Sequence, residues 1–162
     1  MKWIALFLFS CSLFATEDIG GFWKSLDDNG KPQCIFGVYE HEGVYYGRII
    51  GTYDTDGEMR DTIYKPKAVA EGISGTPHMC GLDILYNLYD NGISFKGKIL
   101  DPTKGNVYNC EVWPQNGDLI VRGKVLMFGK NITWYATTPK DFPKNFKLPD
   151  MKTFTPSIPQ PN

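Results

Sequence analysis

Histidine is nearly missing from this chain: 162 residues carry only His41 and His78. Nucleophilic catalysis by a Ser-His or Cys-His pair, and zinc held by several imidazoles, therefore have little to draw on. His41 falls among charged neighbours in a hairpin turn, where a solvated side chain is the plain reading. His78-Met79-Cys80 offers one nitrogen and one sulfur to a soft metal, and two ligands do not make a site. Asp54, Asp56, Glu58 and Asp61 lack the spacing of an EF-hand. No Gly-x-Ser-x-Gly, Gly-x-x-x-x-Gly-Lys-Ser/Thr or His-Glu-x-x-His occurs, which removes the nucleophile elbow, the phosphate loop and the zinc-protease helix. No catalytic residue, metal or other cofactor is expected on these grounds, although an enzyme without a familiar motif stays open.

An excess of charge is also lacking. Seventeen basic residues face eighteen acidic ones, so no broad polycationic surface is expected for nucleic acid or anionic lipid. Apolar runs are short. The longest, Trp3 to Phe9 behind Lys2, is followed by small residues up to Ala15 and by the acidic Glu17 and Asp18. That pattern is an export signal over residues 1–15, too short to span a bilayer, and the mature chain carries no transmembrane segment. Leu8 to Cys11 matches a lipid-attachment box poorly, so a periplasmic or secreted protein without an anchor at Cys11 is expected.

Cysteine is scarce as well. Cys34, Cys80 and Cys110 remain after the signal, and an exported chain meets an oxidising space, so one disulfide and one thiol are expected. Three pairings are possible on spacing alone.

What the chain does have is glycine, 17 residues, and 14% aromatics. Both suit a turn-rich β protein. From Gly92 to Ala136, four apolar runs alternate with period two between turn formers, which predicts an antiparallel meander. Inward candidates are Ile93, Phe95, Gly97 and Ile99, then Tyr108, Cys110 and Val112. Leu119, Val121, Gly123 and Val125 follow, and then Ile132, Trp134 and Ala136. Upstream, a short strand over Asp18 to Ser25 precedes a long hairpin, Gln33–Glu40 and Val44–Tyr53, turned at Glu42-Gly43. Asp54 to Gly81 has no sustained period and reads as a long loop, and a further strand runs from Leu82 to Tyr89.

Eight antiparallel strands leave two open edges unless they close, so an all-β, eight-stranded up-and-down barrel is predicted over residues 16–138. In that topology the start of the second strand and the start of the fourth share a rim. Cys34 and Cys80 are accordingly expected to form a disulfide, with Cys110 free and buried. Six of eleven prolines fall after Thr138, making 139–162 an extended arm that Phe142, Phe146, Leu148 and Phe154 dock on the barrel.

The segments GFWKS, GVYEHEGVYYGRI, GLDILYNL, KGKILDPTKGNVYNCEVW, DLIVRGKV and TWYA resemble the DUF2147 family of exported bacterial proteins. The resemblance spans about Gly21 to Thr138. It implies an exported, lipocalin-like barrel and no particular reaction. Gly21-x-Trp23 is also similar to the short motif that opens lipocalin barrels, which implies that Trp23 closes one end under a basic side chain, with Arg122 as the partner.

A barrel of eight strands is either filled by its own side chains or holds one small ligand. Phe95, Tyr108 and Trp134 argue for filling; Gly37, Gly97 and Gly123 argue for space. With Tyr39, Tyr46 and Tyr86 added, a pocket would be aromatic and suit an apolar or amphipathic molecule, with the Asp54 to Gly81 loop over its mouth. The rival reading is a filled barrel that meets an envelope protein through the proline-rich arm.

Overall fold

In a computed structural model of the chain, which describes residues 16–125 and 128–162, the fold is all β apart from two single-turn 3-10 helices. The strands are β1 (Gly21–Leu26), β2 (Pro32–His41), β3 (Val44–Tyr53), β4 (Met59–Thr62), β5 (Asp83–Asp90), β6 (Phe95–Asp101), β7 (Asn106–Gln115), β8 (Asp118–Val125) and β9 (Phe128–Ala136). The sheet runs β2-β1-β9-β8-β7-β6-β5-β3, and β2 pairs back onto β3, so eight strands seal into a ring. Every pairing is antiparallel. The predicted barrel is therefore the one observed. The apolar run 1–15, with Cys11, lies outside the described residues.

Local chemistry explains the turns. Glu42-Gly43 and Asn116-Gly117 each join paired strands with two residues, and both residues of each pair have positive φ: 52° and 79°, then 54° and 84°. Those are the backbone angles whose twist matches a right-handed hairpin, and glycine takes the second place without a Cβ penalty. Asp27 sets the β1–β2 turn by accepting N–H bonds from Asn29 and Lys31 at 2.9 and 2.8 Å.

Residues 54–81 depart from the expected bare loop in one respect. Met59–Thr62 forms the short strand β4, which pairs with Gly51 to Tyr53 on the same edge of β3 that β5 uses over Tyr45 to Arg48. Buried Asp61 holds the rest of the segment. Its carboxylate accepts the Lys67 and Ala68 N–H groups at 2.8 and 3.1 Å. The segment then crosses the outer wall, burying Ala70 and Ile73 with Leu82 and Leu100.

Three apolar clusters result. The interior one runs through Phe36, Val38, Leu85, Leu88, Phe95, Val112, Leu119, Val121 and Trp134. The loop cluster covers β5 and β6. A third lies outside the ring on β2, β3 and β4, where Ile35, Ile50 and Met59 are covered by Phe142, Phe146 and Phe154 of the C-terminal segment. Leu148 stays 47% exposed and takes no part in that docking.

Candidate functional site

The two ends of the barrel differ. At one, the chain before β1 folds inward: Ile19 is fully buried, its carbonyl accepts the Trp23 indole N–H at 3.0 Å, and the Tyr45 hydroxyl donates to Asp18 at 2.9 Å. Tyr45 also meets Phe95 edge to face, with centroids 5.0 Å apart. Leu88, Phe95, Val112, Leu119 and Val121 fill the lumen above, each 2% exposed or less. That end is shut.

The other end is open. Phe36 from β2 and Trp134 from β9 lie face to face with centroids 3.8 Å apart and planes 4° apart, making a flat aromatic floor. With Ile84 and Ile99 they line a cavity of about 420 Å³. Its rim is polar: Ser25, Asp27, Asp28 and Gln33 on one side, Lys130 and Asn131 on the other. Gly123 contributes space nearby, since a Cβ there would meet only Ile99, at 3.7 Å. The other two glycines do not leave room. Gly37 faces Met151 outside the ring, and Gly97 faces the backbone of Tyr86 and Asn87, where β5 bulges. An aromatic floor under a mixed polar rim can hold an apolar body while leaving a polar group in water.

Of the residues expected to line a pocket, Phe95 and Trp134 belong to the interior cluster, and Trp134 alone lines the cavity. Tyr108 is half-buried beside Ile99 and does not line it. Tyr39, Tyr46 and Tyr86 are corrected to the outer wall. Tyr39 stacks on Tyr46 at 5.6 Å and meets Phe154 edge to face at 5.2 Å, and Tyr86 packs with the loop cluster. For Tyr39 the reason is that β2 is buried on both faces, Phe36 and Val38 inward, Ile35 and Tyr39 under the C-terminal segment.

Arg122 does not cover Trp23. It points outward from β8, donates to Asn131 at 2.7 Å and lies 5.0 Å above the Trp113 ring. The loop 54–81 is no cover for the mouth either: Ile63, Met79 and Cys80 pack against the interior cluster, and no residue of the loop lines the open cavity.

Cys34 and Cys80 share the rim as the topology requires, yet both are free thiols, so the expected disulfide is absent. Each sulfur has its own acceptor, Asp61 for Cys80 at 3.4 Å and the Ile35 carbonyl for Cys34 at 3.6 Å. Burial pushes both pKa values up, and the Asp61 carboxylate adds to the effect. Cys110 is free and buried, its pKa pushed up to about 12 by burial. Phe36 and Ile84 were missed because nothing local separates them from other core residues.

Comparison with known proteins agrees with this architecture. The chain is similar to a solved structure described as protein HP1028 from the human pathogen Helicobacter pylori, which belongs to the lipocalin family. The identity is 22% and the TM-score 0.61, over 78% of this chain and 87% of that one. At that identity the likeness shows the fold alone. No curated protein matches the chain. The profile for DUF2147, described as an uncharacterized protein conserved in bacteria, matches residues 21–136, and the chain belongs to that family.

Proposed function

We propose that this protein is an exported bacterial barrel that takes one small apolar or amphipathic molecule into its open end. The observation that carries the reading is the stacked Phe36–Trp134 floor, left facing a cavity of about 420 Å³ while the rest of the lumen is filled. That volume sits at the small end of the range for ligand pockets. An acyl or flat ring system would lie on the aromatic pair, and its polar end would reach Gln33 and Lys130. Export rests on the Lys2-led apolar run of residues 1–15.

Titration with a fluorescent single-chain fatty acid tests this. Saturable binding is expected, weakened at least about tenfold in an Ile99→Trp variant that fills the cavity. Absence of binding, or equal binding by the filled variant, contradicts it.

The interaction-module reading draws less support. Phe142, Phe146 and Phe154, the apolar side chains such an arm would offer a partner, are turned onto β2 and β3.

A further inference from the structure

A surface hollow lies outside the barrel, where β4 and the segment after it face the C-terminal segment. It has a volume of about 720 Å³ and shares no lining residue with the barrel mouth. Its chemistry is one-sided. Lys65, Lys67, Lys144 and Lys147 line it together with Arg60, while no carboxylate does. Arg60 is occupied by Asp54 and Asp56, at 2.9 and 2.7 Å, whereas none of the four lysines has an ion-pair partner among the described residues. In a chain whose net charge is −1, gathering four uncompensated ammonium groups around one hollow is a local field that favours an anion. The hollow also has an aromatic wall: Tyr64, 53% exposed, faces Phe146 with centroids 5.5 Å apart. The Tyr64 hydroxyl donates to the Lys147 carbonyl at 2.9 Å, which fixes the two walls relative to each other.

We infer that this hollow is a second binding site, for a small soluble molecule that joins an aromatic body to one phosphate or carboxylate. The ring system would lie against Tyr64 and Phe146. The anion would sit among the lysines, where ammonium groups act as adjustable point charges. Charge alone does not define the occupant, because inorganic phosphate would leave the aromatic wall uncovered.

The test uses the full chain and 1-naphthyl phosphate, followed by amide chemical shifts. Saturable shifts are expected at Tyr64, Lys67, Phe146 and Lys147, and not at Phe36 or Trp134. Affinity should fall roughly fivefold in a Lys67→Gln, Lys144→Gln double variant, whose spectrum reports whether it is folded. It should also fall between about 50 mM and about 500 mM salt, as a screened ionic contact does. Inorganic phosphate and 1-naphthol, each offering half of the chemistry, should bind more weakly. Binding insensitive to the lysine substitutions overturns the inference, as do shifts confined to the barrel mouth. Equal binding of inorganic phosphate alone, or a response only to phosphatidylglycerol vesicles, also overturns it. Because the barrel mouth has its own reporters, loss of one site leaves the other to be judged separately.

Discussion

Arg48 of β3 and Asp83 of β5 stand opposite each other across the strand pair, and the guanidinium grips the carboxylate with two bonds, Nε at 3.1 Å and Nη2 at 2.9 Å. Asp83 is fully buried. Its second oxygen also accepts the Tyr39 hydroxyl at 2.9 Å and the Ser157 N–H at 2.5 Å, and Arg48 donates to the Thr155 carbonyl at 2.5 Å. The pair is thus where the C-terminal segment is tied to the barrel wall, with the Phe154 ring 4.4 Å from the guanidinium. Tyr39, read from the sequence as a pocket residue, has this structural task.

Removing one partner of such a pair strands a buried charge. Arg48→Met is expected to cost about 3–5 kcal/mol in urea unfolding, and Arg48→Met with Asp83→Leu to recover part of that loss. A single variant as stable as the parent would show the carboxylate to be solvated.

Asp141 gives the same segment a pH dependence. Burial works to raise its pKa, but the Lys24 ammonium and the Thr138 N–H and hydroxyl hold it below the ordinary carboxylate range. A carboxyl depressed in the folded state contributes stability above its unfolded pKa and loses that contribution as pH falls through the folded one. Stability should therefore drop below about pH 4 by an amount that Asp141→Asn reduces. An identical acid profile in that variant would be the contrary result.

Gly97, Cys110 and Gly123 form one row across β6, β7 and β8, and the two glycines predict opposite outcomes. A Cβ on Gly97 would fall 2.5 and 2.7 Å from the Asn87 and Tyr86 carbonyl oxygens, which are backbone and cannot move aside. Gly97→Ala should destabilise by about 2 kcal/mol or more. Gly123→Ala meets nothing closer than 3.7 Å and should be neutral or stabilising by up to about 1 kcal/mol, through a less flexible unfolded chain. Equal effects at the two sites would contradict the bulge in β5.

The three described thiols should be inert. Cys34, Cys80 and Cys110 are buried with raised pKa values, so at pH 8 little thiolate exists to react. Iodoacetamide labelling followed by mass mapping should be roughly a hundredfold slower at each than in denaturant. Rapid labelling of any of them in the folded protein would disprove the burial.

The ring was legible because the four strands between Gly92 and Ala136 alternate with period two and sit between turn formers. The wall that faces the C-terminal segment was not. In Cys34 to Tyr39 both parities are apolar, so period two gives no inward face, and the cover comes from residues more than a hundred positions later. Phe142, Phe146 and Phe154 were readable as docking residues, but the surface they would choose was not. β4 is four residues, MRDT, with no alternation, and exists because the free part of the β3 edge needs a partner. Cys34 and Cys80 were brought to one rim by strand direction alone. That Asp61 would take the Cys80 sulfur follows from a contact across 19 residues that no spacing reveals.

The Phe36–Trp134 pair at the open end is the proposed seat of the apolar ligand. Its most direct measurement is isotope-filtered NMR of the protein with uniformly labelled decanoic acid. Intermolecular contacts from the acyl chain to Phe36, Ile99 and Trp134 are expected. Contacts confined to the outer wall, or none at saturating ligand, would contradict it.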